Sequence, residues 1–280
     1  MSTARVLRRA LVRSLEDDVL GIAKAGAYSA ILTMFPALMV LAAVLAASHT
    51  TKAFLQQIAY VLGYILPEGP GQAVQAYFER AGGRPVGLLV TTSLATLWAA
   101  SGVTITWMEG FRKAYQLPRT WGIVKARVVA IMLVILALVP LAFASLLVAF
   151  GDQIESLMLF YSGYEVGPYI VLLWTAMRWV ISALTSVAII AVIYHFGVPR
   201  TQPWHSVLPG AALATAIWFP ATLMFGWYIT HVSDYNRIYG SLGAVIALMV
   251  WLYIVTLIVL FGAEINALLS PRMLASQTAA

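Results

Sequence analysis

The 280-residue chain contains no cysteine. That absence removes disulfides, thiolate metal sites and cysteine nucleophiles together. Charge is almost as scarce: 10% of the residues are Asp, Glu, Lys or Arg, against about 25% in an ordinary soluble domain. So little charge cannot cover a soluble globule of this size. With 61% of the residues hydrophobic, a disordered chain is excluded as well, because disorder requires low hydrophobicity. The composition is that of an integral membrane protein.

What is present is a set of long apolar runs. About 20 apolar residues carry a helix across a bilayer. Uninterrupted stretches of that kind cover residues 25–47, 86–108, 128–150, 169–194, 207–229 and 242–263. A membrane β-barrel would need segments of about 10 residues alternating in polarity, and these stretches are twice as long and do not alternate. The expected fold class is all-α, a polytopic membrane protein with six transmembrane helices. The first stretch, 23 residues long and preceded by Glu16-Asp17-Asp18, exceeds the roughly 7–15 residues of a signal-peptide core and reads as a retained helix.

Lys and Arg counted over alternate loops give the orientation. The segment before the first span, the second and fourth loops and the C-terminal tail hold twelve of them, and the opposite loops hold Lys52, Arg80, Arg84 and Arg237. Both termini are therefore expected in the cytoplasm. The net charge of +6 then specifies orientation rather than a nucleic-acid partner, since no basic run is interleaved with aromatics. Residues 1–24 mix arginines with Val6, Leu7, Ala10, Leu11, Leu15 and Val19, as in an amphipathic helix lying on the cytoplasmic surface. Residues 48–85 form a periplasmic loop with two short helical pieces, and 265–280 a cytoplasmic tail around the membrane domain 25–264.

The most specific pattern lies in the last third of the chain, YGSLGAVIALMVWLYIVTLIVLFGAEIN from Tyr239 to Asn266. Together with AYSAILTMFPALMV from Ala27 to Val40, the preceding Asp17, Tyr194…Pro199, and Pro209-Gly210-Ala211, it resembles the YihY/BrkB family. These are six-span bacterial inner-membrane proteins once labelled ribonuclease BN and described as envelope-integrity or candidate transport proteins. The resemblance covers nearly the whole chain. It departs at Arg112, where the family commonly has Asn before the triplet Lys113-Ala114-Tyr115. It implies a multi-pass protein of the bacterial inner membrane and carries no residue-by-residue activity with it.

Arg178 is the charge found inside a span, and an intramembrane charge normally faces a cavity or a partner. It is the candidate site for an anionic substrate or lipid headgroup, against the alternative that it bonds backbone carbonyls or snorkels outward. Glu109 and Glu264 end the second and sixth spans at the cytoplasmic boundary. Each could couple protons, or merely hold helix register, with Glu109 paired to Arg112 or Lys113 one turn on. Tyr239, Trp251 and Tyr253 are expected to line or gate the pathway. Pro36, Pro140 and Pro220 sit inside spans one, three and five as candidate hinges, although proline is also simply common in membrane helices. Residues 26–37 and 210–221 share Gly-Ala…Ala…Phe-Pro-Ala at an offset of 184, a weak parallel repeat that would set Pro36 and Pro220 at equal depth.

The four histidines have no acidic or histidine neighbour at metal-ligand spacing. A P-loop and a readable Ser/His/Asp constellation are also missing. No cofactor, no metal and no enzymatic activity are expected. The leading expectation is a transporter or lipid-handling protein of the cell envelope with a cavity around Arg178. The alternative is a non-transporting envelope scaffold, with a ribonuclease a distant third. Expected partners are membrane lipids, anionic ones included, with room for a homo-oligomer and no nucleic acid.

Overall fold

The computed structural model describes residues 3–47, 86–149, 151, 153, 154, 156, 167–199, 202–231 and 242–270. The loop 48–85, expected on the periplasmic side, and Tyr239 lie outside the described residues. Seven helices appear among those described, and no strand: α1 (Thr3–Glu16), α2 (Val19–Ala47), α3 (Val86–Ala114), α4 (Ile123–Ala149), α5 (Gly167–Phe196), α6 (Trp204–His231) and α7 (Leu242–Leu269). The last six are long and apolar enough to cross a membrane, as the apolar runs predict.

Most helices exceed their apolar stretches at the basic ends. α2 begins at Val19 rather than at 25, and α3 continues through Glu109 to Ala114. α7 runs on to Leu269, so the start of the expected tail is helical. Two of these ends are shaped by left-handed residues. Asp18 (φ 57°) separates α1 from α2, and Gln116 (φ 51°) closes α3. At α3 the closure is a Schellman turn: Gln116 N–H donates to Lys113 O at 2.8 Å and Leu117 N–H to Arg112 O at 2.9 Å, which satisfies carbonyls the helix end would leave open. The Asp18 carboxylate lies over Gly21 in the first turn of α2, where the helix dipole favours negative charge.

The six long helices form a closed ring in chain order. α2 packs on α3, α3 on α4, α4 on α5, α5 on α6, α6 on α7, and α7 returns to α2 while also touching α3 and α1. α7 is the most deeply buried span. α2, α4 and α5 are the least buried; on α4 Val128, Met132, Ile135, Leu136, Val139 and Phe143 are exposed, and their spacing puts them on one stripe. The helices remain continuous through Pro36, Pro140 and Pro220.

Small residues let α7 approach its neighbours. A side chain at Gly26 of α2 would strike Thr256, and one at Gly210 of α6 would strike the Gly262 carbonyl and Asn266. The two glycines of the weak repeat thus dock on the same helix from either side. They meet it at least six residues apart, about 9 Å along the axis.

Candidate functional site

A cluster of titratable groups gathers where α1, the α1–α2 turn, the end of α3 and α7 meet. Glu264 is fully buried; as a carboxylate it finds no N–H or O–H donor among the described residues, and it can bond the Asp17 carboxyl once one of the two carries a proton. Buried polar groups are nearly always paired, so a buried carboxyl whose partner is another carboxyl calls for an explanation. Around it stand Asp17 from the α1–α2 turn, Arg13 from α1 and Tyr115 from the end of α3. Tyr115 Oη and Arg13 Nη1 are likewise buried without a partner. Lys113 Nζ donates to the Asp17 carbonyl at 3.4 Å, tying α3 to the turn.

Local folding explains how these side chains reach one place. Asp17 and Tyr115 each stand one residue before the left-handed residue that ends a helix, Asp18 and Gln116. Non-glycine residues in that region are uncommon, and they concentrate at functional sites. α1 closes the cluster from outside: Val6, Leu7 and Ala10 pack on Ile265 and Leu268 of α7. The amphipathic helix therefore uses one face against the protein and leaves Leu11, Val12 and Leu15 exposed.

The electrostatics follow from burial. Asp17 is raised above its ordinary value, first by burial, while a hydrogen bond with the Glu264 carboxyl and the Arg13 charge pull the other way. Burial also pushes the Tyr115 hydroxyl up, and the Glu264 charge adds to it. Two carboxyls facing each other in a protected site disfavour simultaneous ionisation. The arrangement can take up and release a proton.

Beside this cluster lies a fully satisfied polar node. Asn266 is buried and spans α7 and α6: Gly210 N–H donates to its Oδ1 at 2.7 Å, and its Nδ2 donates to Val207 O at 2.9 Å. Tyr194 of α5, also buried, donates to Val259 O at 2.6 Å. Phe111 meets the Tyr194 ring edge-on at 5.1 Å. α5, α6 and α7 are thus locked by Tyr194, Gly210, Gly262 and Asn266, residues that belong to the motifs quoted above.

The residues singled out from sequence scatter more widely. Arg178 abuts Gly151 at the far end of α4, where Trp174 Nε1 donates to the Gly151 carbonyl at 2.9 Å. The two described cavities lie elsewhere, so the expected cavity around Arg178 is not among them. One, of about 190 Å³, is an apolar, half-open cleft bordered by α3, α5, α6 and α7, with Trp107, Ser186, Trp218 and Val259 in its wall. The other, of about 300 Å³, lies at the basic end of α3 and α4. Trp251 stacks on Phe225 at 5.2 Å, and Tyr253 packs on the core; neither lines a described cavity. Glu109 pairs with Arg112 at 2.6 Å, one of the two partners expected for it.

A family model described as virulence factor BrkB matches residues 10–280. The chain belongs to the BrkB family. It is similar to the putative ribonuclease-like protein YfkH of Bacillus subtilis, 29% identical over 76% of this chain and 78% of that protein. It is also similar to UPF0761 membrane proteins of Alkalilimnicola ehrlichii, 26% identical over 90% of this chain and 55% of the relative, and of Pseudoalteromonas atlantica, 27% identical over 86% and 77%. No solved structure matches the chain. Membership in the BrkB family and six candidate spans make it a multi-pass protein of the bacterial inner membrane.

Proposed function

We propose that this BrkB-family protein is a transporter or lipid-handling protein of the cell envelope. In it the Asp17–Glu264 pair takes up and releases a proton, and Arg178 holds an anionic substrate or lipid headgroup. The observation that carries the reading is Glu264, a fully buried carboxyl in the innermost helix whose nearest polar partner among the described residues is a second carboxyl, Asp17. Titratable groups buried against one another are candidates for a functional proton site. The apolar cavity supports it, because Val259 in its wall lies five residues from Glu264 on α7, about 7.5 Å along the axis. On this reading both termini face the cytoplasm, and no catalytic step is involved.

A second reading has its own support. Asn266, Tyr194, Gly210 and Gly262 serve helix packing, as a non-transporting envelope scaffold would require. Single cysteines at Ser182, one turn from Arg178, and at Ser186 and Ile190 in the cavity wall separate the two. The transporter reading expects labelling by a membrane-impermeant thiol reagent from one side, with a rate that follows pH and loses that dependence in Glu264→Gln. Protection of all three positions at every pH would leave the scaffold.

A further inference from the structure

The larger cavity belongs to neither the Glu264 cluster nor Arg178. It opens at the basic ends of α3 and α4 beside Gly197 and Pro199, and holds about 300 Å³, within the size range of small-ligand sites. Three arginines line it, Arg112, Arg119 and Arg127, with one carboxylate, Glu109. Formal charge in the cavity is therefore +2.

The three guanidinium groups are held differently. Arg112 is spent on the protein: its Nε and Nη2 fork onto Glu109 at 3.1 and 2.6 Å, and its Nη1 donates to Leu117 O at 2.9 Å. Arg119 makes one 3.4 Å contact with Glu109 and is 77% exposed. Arg127 has no carboxylate among the described residues. It is nevertheless fixed, with Nη1 donating to Ser101 Oγ at 2.7 Å and to Trp98 O at 3.4 Å, and its guanidinium 4.4 Å from the Trp98 ring. A guanidinium pre-set by stacking and hydrogen bonds, beside a second one that can swing, suits a tetrahedral oxyanion.

The surroundings identify what carries that anion. Trp98 is itself exposed, and so are Ile123, Val124 and Val128 at the start of α4. An apolar, lipid-facing surface thus continues from the cation site. Trp121 in the cavity wall, with Lys125 over its ring at 5.8 Å, has the aromatic and basic character of a membrane interface. Basic pockets between spans at that level take anionic headgroups.

We infer that the α3–α4 cavity binds a phosphate-bearing ligand through Arg119 and Arg127, with the acyl chains of an anionic phospholipid lying along Trp98 and Val128. The inference is independent of the transport reading.

The test is native mass spectrometry of the purified full chain, carrying phosphatidylglycerol or phosphatidylcholine from mixed micelles, together with a separate titration of inorganic phosphate. Preferential retention of phosphatidylglycerol is expected, falling roughly tenfold in the double variant Arg119→Gln, Arg127→Gln. The double variant Arg8→Gln, Lys24→Gln loses the same charge elsewhere and should retain the lipid. Arg119→Gln alone, on the exposed connection between helices, guards against misfolding and should show part of the loss. Lipid retention without measurable phosphate binding assigns the site to a headgroup. Phosphate binding of equal strength, lost in the same variant, assigns it to a soluble phosphate. Equal retention of both lipids with no phosphate binding, or equal loss in the Arg8/Lys24 control, would overturn the inference.

Discussion

At the scale of single residues, the cluster around Glu264 makes the sharpest predictions. Asp17 has its folded value raised by burial, so the folded protein binds this proton more tightly than the unfolded chain does. The stability this gives is complete below the ordinary value of 3.8 and is lost as pH rises through the raised one. Thermal unfolding in detergent should therefore show the midpoint falling over that window, and Asp17→Asn should flatten the fall and raise the midpoint at neutral pH. An unchanged slope in the variant would refute the assignment. Asn266→Ala strands the Gly210 N–H and removes a donor from Val207 O, at a cost of about 1–3 kcal/mol; denaturation against wild type measures it. Little of this was legible beforehand. Arg178 stood out because a charge inside an apolar run is visible without knowing what it touches. Glu264 read as a boundary residue because the apolar run ends at 263, whereas α1, some 250 residues earlier in the chain, folds over that boundary and buries it. Asp17 and Tyr115 appear in the motifs, but their convergence on Glu264 depends on two helix-ending turns that periodicity does not reveal.

At the scale of helices, existence and type were readable, because each span is a long apolar run and the bilayer leaves no other way to satisfy its backbone. The ends were not, since caps such as the Gln116 turn extend helices into polar sequence. The neighbours of each helix were also hidden. Small-residue spacing marks a helix as able to pack closely without saying on what, and only the fold shows Gly26 and Gly210 both facing α7. Gly262 gives the element-scale prediction. A methyl group there would lie 2.7 Å from the Gly210 carbonyl and closer still to the Tyr194 hydroxyl, so Gly262→Ala must separate α6 from α7 or displace Tyr194. Such overpacking costs about 1–3 kcal/mol, and a lower unfolding midpoint should follow. Pairing Gly262→Ala with Tyr194→Phe should recover part of the loss, because one of the two clashes goes.

At the scale of the molecule, orientation is the quantity that labelling can decide cleanly, since the chain has no cysteine of its own. With both termini in the cytoplasm, Thr120→Cys in the α3–α4 connection should react with an impermeant reagent only after the cells are opened. His231→Cys, at the opposite end of α6, should react in intact cells; the reverse pattern would invert the topology. The ring itself has a consequence in time. Its hub is α7, which contacts α1, α2, α3 and α6 and follows all of them in the chain. A ribosome delivers the periphery first, so five spans enter the bilayer before the helix that closes their ring exists. Until it arrives, Tyr194 and Gly210 have nothing to clasp, and the Asp17 turn has no counterpart. Any interruption of synthesis before α7 is complete should leave an open crescent of helices, recognisable to membrane proteases as unfinished.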